Sequence, residues 1–414
     1  MQRNPIFKMY KPHRLLKISS LVLLFSVFAL TGHADSSFQV EQQLQRCHQK
    51  VRQALHDLQK PDGTLDYTME PRNILHGHKQ KAWNCRKATV EEWCSGFWPG
   101  ILWMDYGYSH DSIVGQAAEG YTAALRSCVY RPVYDHDLGF ITFCSFGKGY
   151  EQNHNATYRQ TLLDAADSLA TLFRPLVGTI LSWPRNVKMF GGHNTIMDNM
   201  MNLDLLFWAS RHGGNPLLYD IAVTHAKTTM KHHFRPDGGC YHVAVYDTLT
   251  GDFIKGVTHQ GYADNSTWAR GQGWAVYGYT MVYRYTHEKV FLDFAQKVAN
   301  YYLSRLPEGD LIPKWDFDDP DPKAPKDASA ACVVADALLE LQQYVGGQKG
   351  QQYREKAVEM LRQLSSPEYF SGKHNDAFLL HSTGHHPAGS EIDASIVYAD
   401  YYYLEALLRL RNIK

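Results

Sequence analysis

Two aspartates stand where a carboxyl group could do chemistry. Asp137 lies in His136-Asp137-Leu138-Gly139-Phe140, and Asp198 in Ile196-Met197-Asp198-Asn199-Met200-Met201-Asn202, just before an apolar helical pattern. An Asp in that position is by default an N-cap, because its side chain can accept one of the free N–H groups of the first turn. If the two converge, however, their mutual repulsion raises one pKa and leaves a proton available near neutrality. They are 61 residues apart in the chain, so convergence depends on the fold.

Around these carboxyls the chain strings together residues suited to walls and hydrogen bonds. Trp93 opens Trp93-Cys94-Ser95-Gly96-Phe97-Trp98-Pro99-Gly100, and Trp183 sits in Leu-Ser-Trp-Pro. His242 begins an alternating run, and Gly256-Val257-Thr258-His259-Gln260-Gly261 precedes Trp268-Ala269-Arg270-Gly271-Gln272-Gly273-Trp274. Arg270 and Trp274 are i and i+4 and would share a helix face. A planar guanidinium suits a carboxylate, since it can bind both oxygens; its structural alternative is an ordinary ion pair. For the tryptophans the alternative is the core.

These strings must be positioned by helices. Apolar residues recur at helical spacing over 40–58, 96–106, 112–129, 136–146, 157–173, 199–210, 216–232, 268–286, 289–303, 327–343, 351–364 and 394–411. Two pairs are separated by very short breaks, as in helical hairpins. Residues 242–247 and 252–260 flank the turn 248–251 and predict a β-hairpin. No motif recurs at a fixed period, which argues against an open solenoid. The expected fold is therefore all-α, an (α/α)6 barrel (six-hairpin toroid) with a short β-hairpin insertion. No Pro- or Ser/Gly-rich linker divides residues 35–414, so they are expected to form a single catalytic domain.

The first 34 residues read as a leader. Lys8, Lys11, Arg14 and Lys17 precede an apolar run from 18 to 30, and Gly32-His33-Ala34 offers small residues for cleavage. The expectation is an exported protein, periplasmic or secreted, without membrane anchoring. Its 42 Lys plus Arg balance 42 Asp plus Glu, and no basic stripe appears, so nucleic acid is not an expected partner. Seven cysteines without a C-x-x-C pair are expected to be small buried residues with at most one bridge. The 21 histidines include no H-E-x-x-H string and no Gly-rich phosphate loop is present, so neither metal nor cofactor is expected. A monomer or weak homo-oligomer is expected.

Taken together and in order, these strings resemble glycoside hydrolase family 88, the unsaturated glucuronyl hydrolases. The resemblance extends to Lys314-Trp315-Asp316-Phe317, Asp327-Ala328-Ser329-Ala330-Ala331 and Tyr398-Ala399-Asp400-Tyr401-Tyr402. It implies release of a 4,5-unsaturated uronic acid from the non-reducing end of lyase-generated oligosaccharides, by hydration of the C4=C5 vinyl ether. It further implies Asp198 as acid/base and Asp137 as the second carboxylate. His136, Trp93, Trp183, His242, Gly256, Thr258, Gln260, Trp268, Arg270 and Trp274 are implied to bind substrate. Members that read sulfated glycosaminoglycans place Ser and Lys in the region matching 380–390; here Ser382 and Ser390 are present without a Lys. Glycosaminoglycan disaccharides are the preferred substrates. The alternatives are an unsaturated rhamnogalacturonyl hydrolase and a non-catalytic glycan-binding toroid.

Overall fold

Periodicity translates into a ring of paired helices in the computed structural model, which describes residues 38–75, 80–129 and 133–413. The expected leader, residues 1–34, lies outside the described residues. In chain order the elements are α1 (Val40–Asp57), β1 (Met69–Leu75), β2 (Asn84–Lys87), α2 (Phe97–Ser109), α3 (Ser112–Ala124), α4 (Arg126–Val129), α5 (Leu138–Thr142), α6 (Lys148–Asn153) and α7 (Ala156–Ala170). There follow β3 (Phe173–Arg174), β4 (Thr179–Ile180), α8 (Val187–Phe190), β5 (His193–Ile196), α9 (Asn199–Arg211), α10 (Leu217–His232), β6 (Val243–Tyr246) and β7 (Phe253–Val257). The chain ends with α11 (Ala269–Thr286), α12 (Lys289–Ser304), α13 (Ala328–Val345), α14 (Gly347–Leu364), β8 (Ala394–Ile396) and α15 (Val397–Asn412). A π-helical turn, Phe143–Gly147, welds α5 to α6 into one rod.

Six rods touch one another in a closed inner circle: α2, α5–α6, α9, α11, α13 and α15, with α15 returning to α2. Each is backed by an outer partner, respectively α3, α7, α10, α12, α14 and α1. The two sets differ as burial requires. Outer α1 buries one stripe, Leu44, Cys47, Val51, Ala54 and Leu55, spaced for a single face. Inner α13 is buried on every side from Ala328 to Leu341. Truncating such a residue, Leu338 for example, should cost about 2–5 kcal/mol because the ring cannot collapse into the hole.

Connections are unequal. Five inner rods pass to their outer partners through a few residues, α15 and α1 being the last and first helices; three of these links turn on a histidine in the left-handed conformation, His110, His154 and His287. An N-cap follows two of them, Asp111 accepting from the Ile113 amide and Asn155 from the Thr157 amide. The return connections, such as 58–96, 233–268 and 365–396, are long and hold all the strands. Consequently every inner rod starts at the long-loop rim and ends at the short-loop rim.

The hairpin forms as expected, with Val243 opposite Val257 and a bulge between Val245 and Tyr246. It is joined by an unexpected strand, β5, and the order is β5-β6-β7. A second small sheet, β2-β1-β8, and the two-residue pair β3–β4 are also additions to an all-α expectation. Most of these strands are too short to show alternation, and the seven-residue β1 is buried on both faces from Glu70 to Ile74. No disulfide forms among the seven cysteines, six of which are buried.

Candidate active site

The long-loop rim encloses a pocket of about 330 Å³ at the starts of the inner rods. Asp137, Asp198, Trp93, Trp183, Gln260 and Arg270 line it. Asp137 immediately precedes α5 and Asp198 immediately precedes α9, yet neither side chain accepts a capping hydrogen bond. The capping explanation of both residues therefore fails, and both carboxyls are left for the pocket.

Each carboxyl has its own histidine, and the hydrogen bonds behind each ring fix where its proton sits. The Phe140 amide donates to Asn202 Oδ1 at 2.7 Å, so the Asn202 amide group points its N–H at His136 Nδ1, 3.1 Å away. Nδ1 accepts, hence the proton of neutral His136 is on Nε2, 3.5 Å from Asp137 Oδ1. Burial keeps that imidazole below its ordinary pKa despite Asp135 and Asp198. Gly139 makes the arrangement feasible: a Cβ there would lie 2.4 Å from Asn202 Oδ1. On the other side, His242 Nδ1 accepts from the amides of His259 and Gln260, at 3.2 and 3.1 Å. Its Nε2–H faces Asp198 Oδ2 at 3.5 Å. This meeting follows from strand register: Ile196 pairs with Val243, and the Met197 amide donates to the His242 carbonyl.

His136 Nε2, His242 Nε2 and Asp198 Oδ2 are buried and make no hydrogen bond in the described residues. Buried polar groups are normally paired, so this cluster is a set of hydrogen-bonding groups aimed at a ligand. The two carboxyls also differ electrically. Asp137 is pushed well above the ordinary carboxylate range by burial and by the Asp135 and Asp198 charges, against the pull of Arg185. Burial pushes Asp198 the same way, but His242, His136 and Arg270 outweigh it and leave its pKa below the ordinary value. The two carboxyls are thus split in pKa, Asp137 upward and Asp198 downward.

The other expected site residues divide. Trp183 is held by Asn194, whose side chain bonds both its N–H (2.9 Å) and its carbonyl (3.1 Å). Trp93 packs edge-on against Phe140 and tilted on Tyr398. Gln260 donates to the Gly384 carbonyl at 3.2 Å. Arg270 lies in the pocket wall, but Nη1 donates to Asp327 and Thr383 O, each at 2.6 Å, and Nη2 to Gly384 O at 2.5 Å. Its fork is engaged in holding the 383–384 backbone, leaving it a positive charge more than a two-pronged clamp. Trp268 sits one layer behind, its ring 4.7 Å from that of His242 and 4.5 Å from the Arg270 guanidinium carbon. Trp274, one turn deeper than Arg270, is fully buried between Phe140 and Tyr402 and belongs to the core. Gly256 packs against the Tyr241 ring, and the Thr258 hydroxyl accepts from the Gly261 amide, so both shape the loop without lining the pocket.

Residues not singled out beforehand complete the wall. Arg72 and Asn73 of β1 hold Glu391, at 2.9 and 2.6 Å, and Arg185 pairs with Asp135 at 2.8 Å. His259, His385, Ser390 and Tyr398 also face the pocket. Ser382 is buried beneath the loop, away from it.

The model of glycosyl hydrolase family 88 matches residues 67–405. The chain belongs to glycosyl hydrolase family 88. It is 43% identical to an unsaturated glucuronyl hydrolase of Formosa agariphila over 333 residues, 79% of this chain and 82% of that one. It is 34% identical to an unsaturated chondroitin disaccharide hydrolase of Streptococcus pneumoniae, covering 77% and 81%. Among solved structures, an unsaturated glucuronyl hydrolase specific for heparin superposes with a TM-score of 0.81 at 37% identity, covering 90% of this chain and 98% of that one. The family 88 assignment makes the chain a glycosidase with the toroidal fold expected from its periodicity, and its relatives favour the glucuronyl over the rhamnogalacturonyl branch.

Proposed function

We propose that this family 88 enzyme removes a 4,5-unsaturated uronic acid from glycosaminoglycan disaccharides by adding water across its C4=C5 bond, with Asp198 as acid/base. The observation carrying this reading is the pair of carboxyls on one pocket, each facing an imidazole N–H at 3.5 Å and pushed apart in pKa, Asp137 upward and Asp198 downward.

Because the ring oxygen is attached to C5, the substrate is a vinyl ether. Protonation of C4 by Asp198 leaves an oxocarbenium ion at C5. Water then adds at C5 and returns a proton to Asp198, so the enzyme ends as it began. The hemiketal opens, and collapse of the resulting hemiacetal releases the second sugar. This cycle needs Asp198 protonated at the first step, whereas in the unliganded site its pKa lies below the ordinary value and that of Asp137 above it. The incoming uronate carboxylate supplies what is needed: a further negative charge beside the ionised Asp198 raises its pKa and draws the proton to it. Asp137, held by the His136–Asn202 chain, binds the sugar and feeds that proton. All inner rods begin at this rim, and their N-terminal dipoles favour the same anionic group.

Asp198→Asn tests the role. The unsaturated uronate absorbs in the ultraviolet, and wild type should bleach that band while the variant should not. Full turnover by the variant would remove Asp198 from the mechanism; a wild type that binds such disaccharides without bleaching would make the chain a glycan-binding toroid. We further propose export after cleavage near Ala34, supported by the basic and apolar leader; N-terminal sequencing of the mature protein should begin near Asp35. We propose in addition a monomer or weak homo-oligomer, which size-exclusion chromatography with light scattering would check.

A further inference from the structure

A groove lined by four cations and two carboxylates lies against the polar face of α1. Arg46, Lys50 and Asp57 come from α1, Lys81 from the connection 58–96, and Lys373 and Asp376 from the connection 365–396. It holds about 530 Å³ and shares no lining residue with the catalytic pocket. The sequence dictates the α1 wall: Arg46, Lys50, Gln53 and Asp57 follow one another at helical spacing, a polar stripe beside the buried one. Hydrogen bonds place the other wall. The Asp376 amide donates to the Lys81 carbonyl at 3.0 Å, and the Asn375 side chain to Ser395 of β8 at 2.9 Å. β8 pairs with β1, whose Arg72 and Asn73 hold Glu391 of the catalytic pocket, so groove and pocket are linked through one pair of strands.

The charges here do not neutralise one another in pairs. None of the four cations forms an ion pair among the described residues. Arg46 lies over the Phe370 ring at 3.6 Å and donates to the Ser365 carbonyl at 3.1 Å, while Lys50 donates to the Asn375 carbonyl, so both are held in place. Lys81 and Lys373 are exposed. Asp57 is taken up by Gln53 and His56, at 2.7 and 2.8 Å. Asp376 differs: it is nine-tenths buried in the groove wall, and its carboxyl accepts no hydrogen bond among the described residues. Burial raises its pKa, Asp57 adding to this and Lys50 and Lys81 opposing it. Burial lowers that of Lys50, with Arg46 and against Asp400 and Asp376. Each group has lost water without gaining a full partner.

A ligand that completes this groove must bring acid groups to the cations and, on the same molecule, a donor to Asp376. A bare polyanion has only the first. An acidic sugar chain has both, in its carboxylates or sulfates and in its hydroxyls, and the Gln49 and Gln53 amides add neutral partners. We propose that the groove is a second glycan site, which holds an acidic polysaccharide chain apart from the catalytic centre. It would keep the enzyme on the material whose cleavage by a lyase yields its disaccharides. The choice of glycan rests on the function proposed above; the existence of the site does not.

Calorimetry with a chondroitin sulfate chain that lacks the terminal double bond reads this binding without turnover. At about 0.1 M salt, Lys81→Glu/Lys373→Glu should weaken binding about tenfold or more, with melting temperature and kcat/KM on an unsaturated disaccharide as in wild type. Lys231→Glu/Lys255→Glu, an equal change of charge at α10 and β7, should leave binding within about twofold. Asp376→Ala separates a sugar from a plain polyanion, because it removes an acceptor and a negative charge together. It should weaken the chondroitin sulfate chain about fivefold without weakening inorganic polyphosphate. No binding of the chain by wild type, equal losses in the two lysine variants, or tighter binding of the chain by Asp376→Ala would each overturn the proposal. If no unsaturated disaccharide is turned over, the function proposed above fails, and these binding results still decide the groove.

Discussion

The two ends of the barrel are both lined by buried charged side chains, and they use them in opposite ways. At the short-loop end a cavity of about 170 Å³ is surrounded by Lys148, Arg284 and Arg409 together with Asp204 and Glu405. Every cation there has a carboxylate: Lys148 has Glu405 at 2.9 Å, Arg284 has Asp204 at 2.7 Å and Glu340 at 3.1 Å, and Arg409 has Asp336 at 2.6 Å and Glu340 at 2.9 Å. Tyrosine hydroxyls from Tyr285 and Tyr344 fill further lone pairs. At the long-loop end, Asp198 Oδ2 and the Nε2 atoms of His136 and His242 lack hydrogen bonds. A polar cavity alone thus says little about function. At the far end Asp336 Oδ2 also lacks a partner, so what distinguishes the active end is that carboxylate and imidazole groups without partners converge there, at a cost that bound substrate offsets.

Variants at each end should separate turnover from stability. Asp198→Asn should lower kcat about 10³-fold or more, with little change in melting temperature; a loss below tenfold would erase the difference between the ends. Arg409→Met leaves Asp336 and Glu340 short of a partner and should cost about 3–5 kcal/mol in denaturant unfolding, with kcat/KM nearly unchanged. A strong catalytic defect in the folded variant would show that the far network reaches the site. Asn202→Ala removes the donor that fixes the His136 tautomer and opens a small gap at Gly139. It should reduce kcat about tenfold to 100-fold, and Asn202→Gln should fail to rescue it because Gly139 leaves no room.

The smallest effect concerns pH. Asp137 is raised, so it loses its proton above the ordinary carboxylate range; Asp198 is lowered, so it gains one only below that range. The one-proton form should therefore persist between these limits. The kcat/KM profile should be a broad bell whose apparent pKa values belong to the pair. A single narrow optimum near pH 4 would contradict this electrostatic picture.

Much of this was legible before any coordinates, for identifiable reasons. Twelve rods show because outer helices such as α1 carry a clean apolar stripe and inner ones such as α13 are apolar all round. Asp137 and Asp198 stand out by preceding helices, although their capping role had to be excluded by geometry. The resemblance implied a substrate contact for Trp274; i and i+4 do share a face with Arg270, but one turn of rise carries that face from pocket to core. The π-helical turn at Phe143–Gly147 has no periodic signature. Nor could the contact between His259 and His385 in the pocket wall be read, since they are 126 residues apart and meet only because two irregular loops converge.

The central claim is that water adds to C5 after a proton adds to C4. The most direct test is to run the reaction once in D2O and once in H2(18)O and examine both products. This account predicts one deuterium at C4 of the released uronic acid and the labelled oxygen at C5, with none at the anomeric carbon of either product. Labelled oxygen at C1 of the uronic acid, with no deuterium at C4, would mean ordinary displacement at the glycosidic bond and would contradict it.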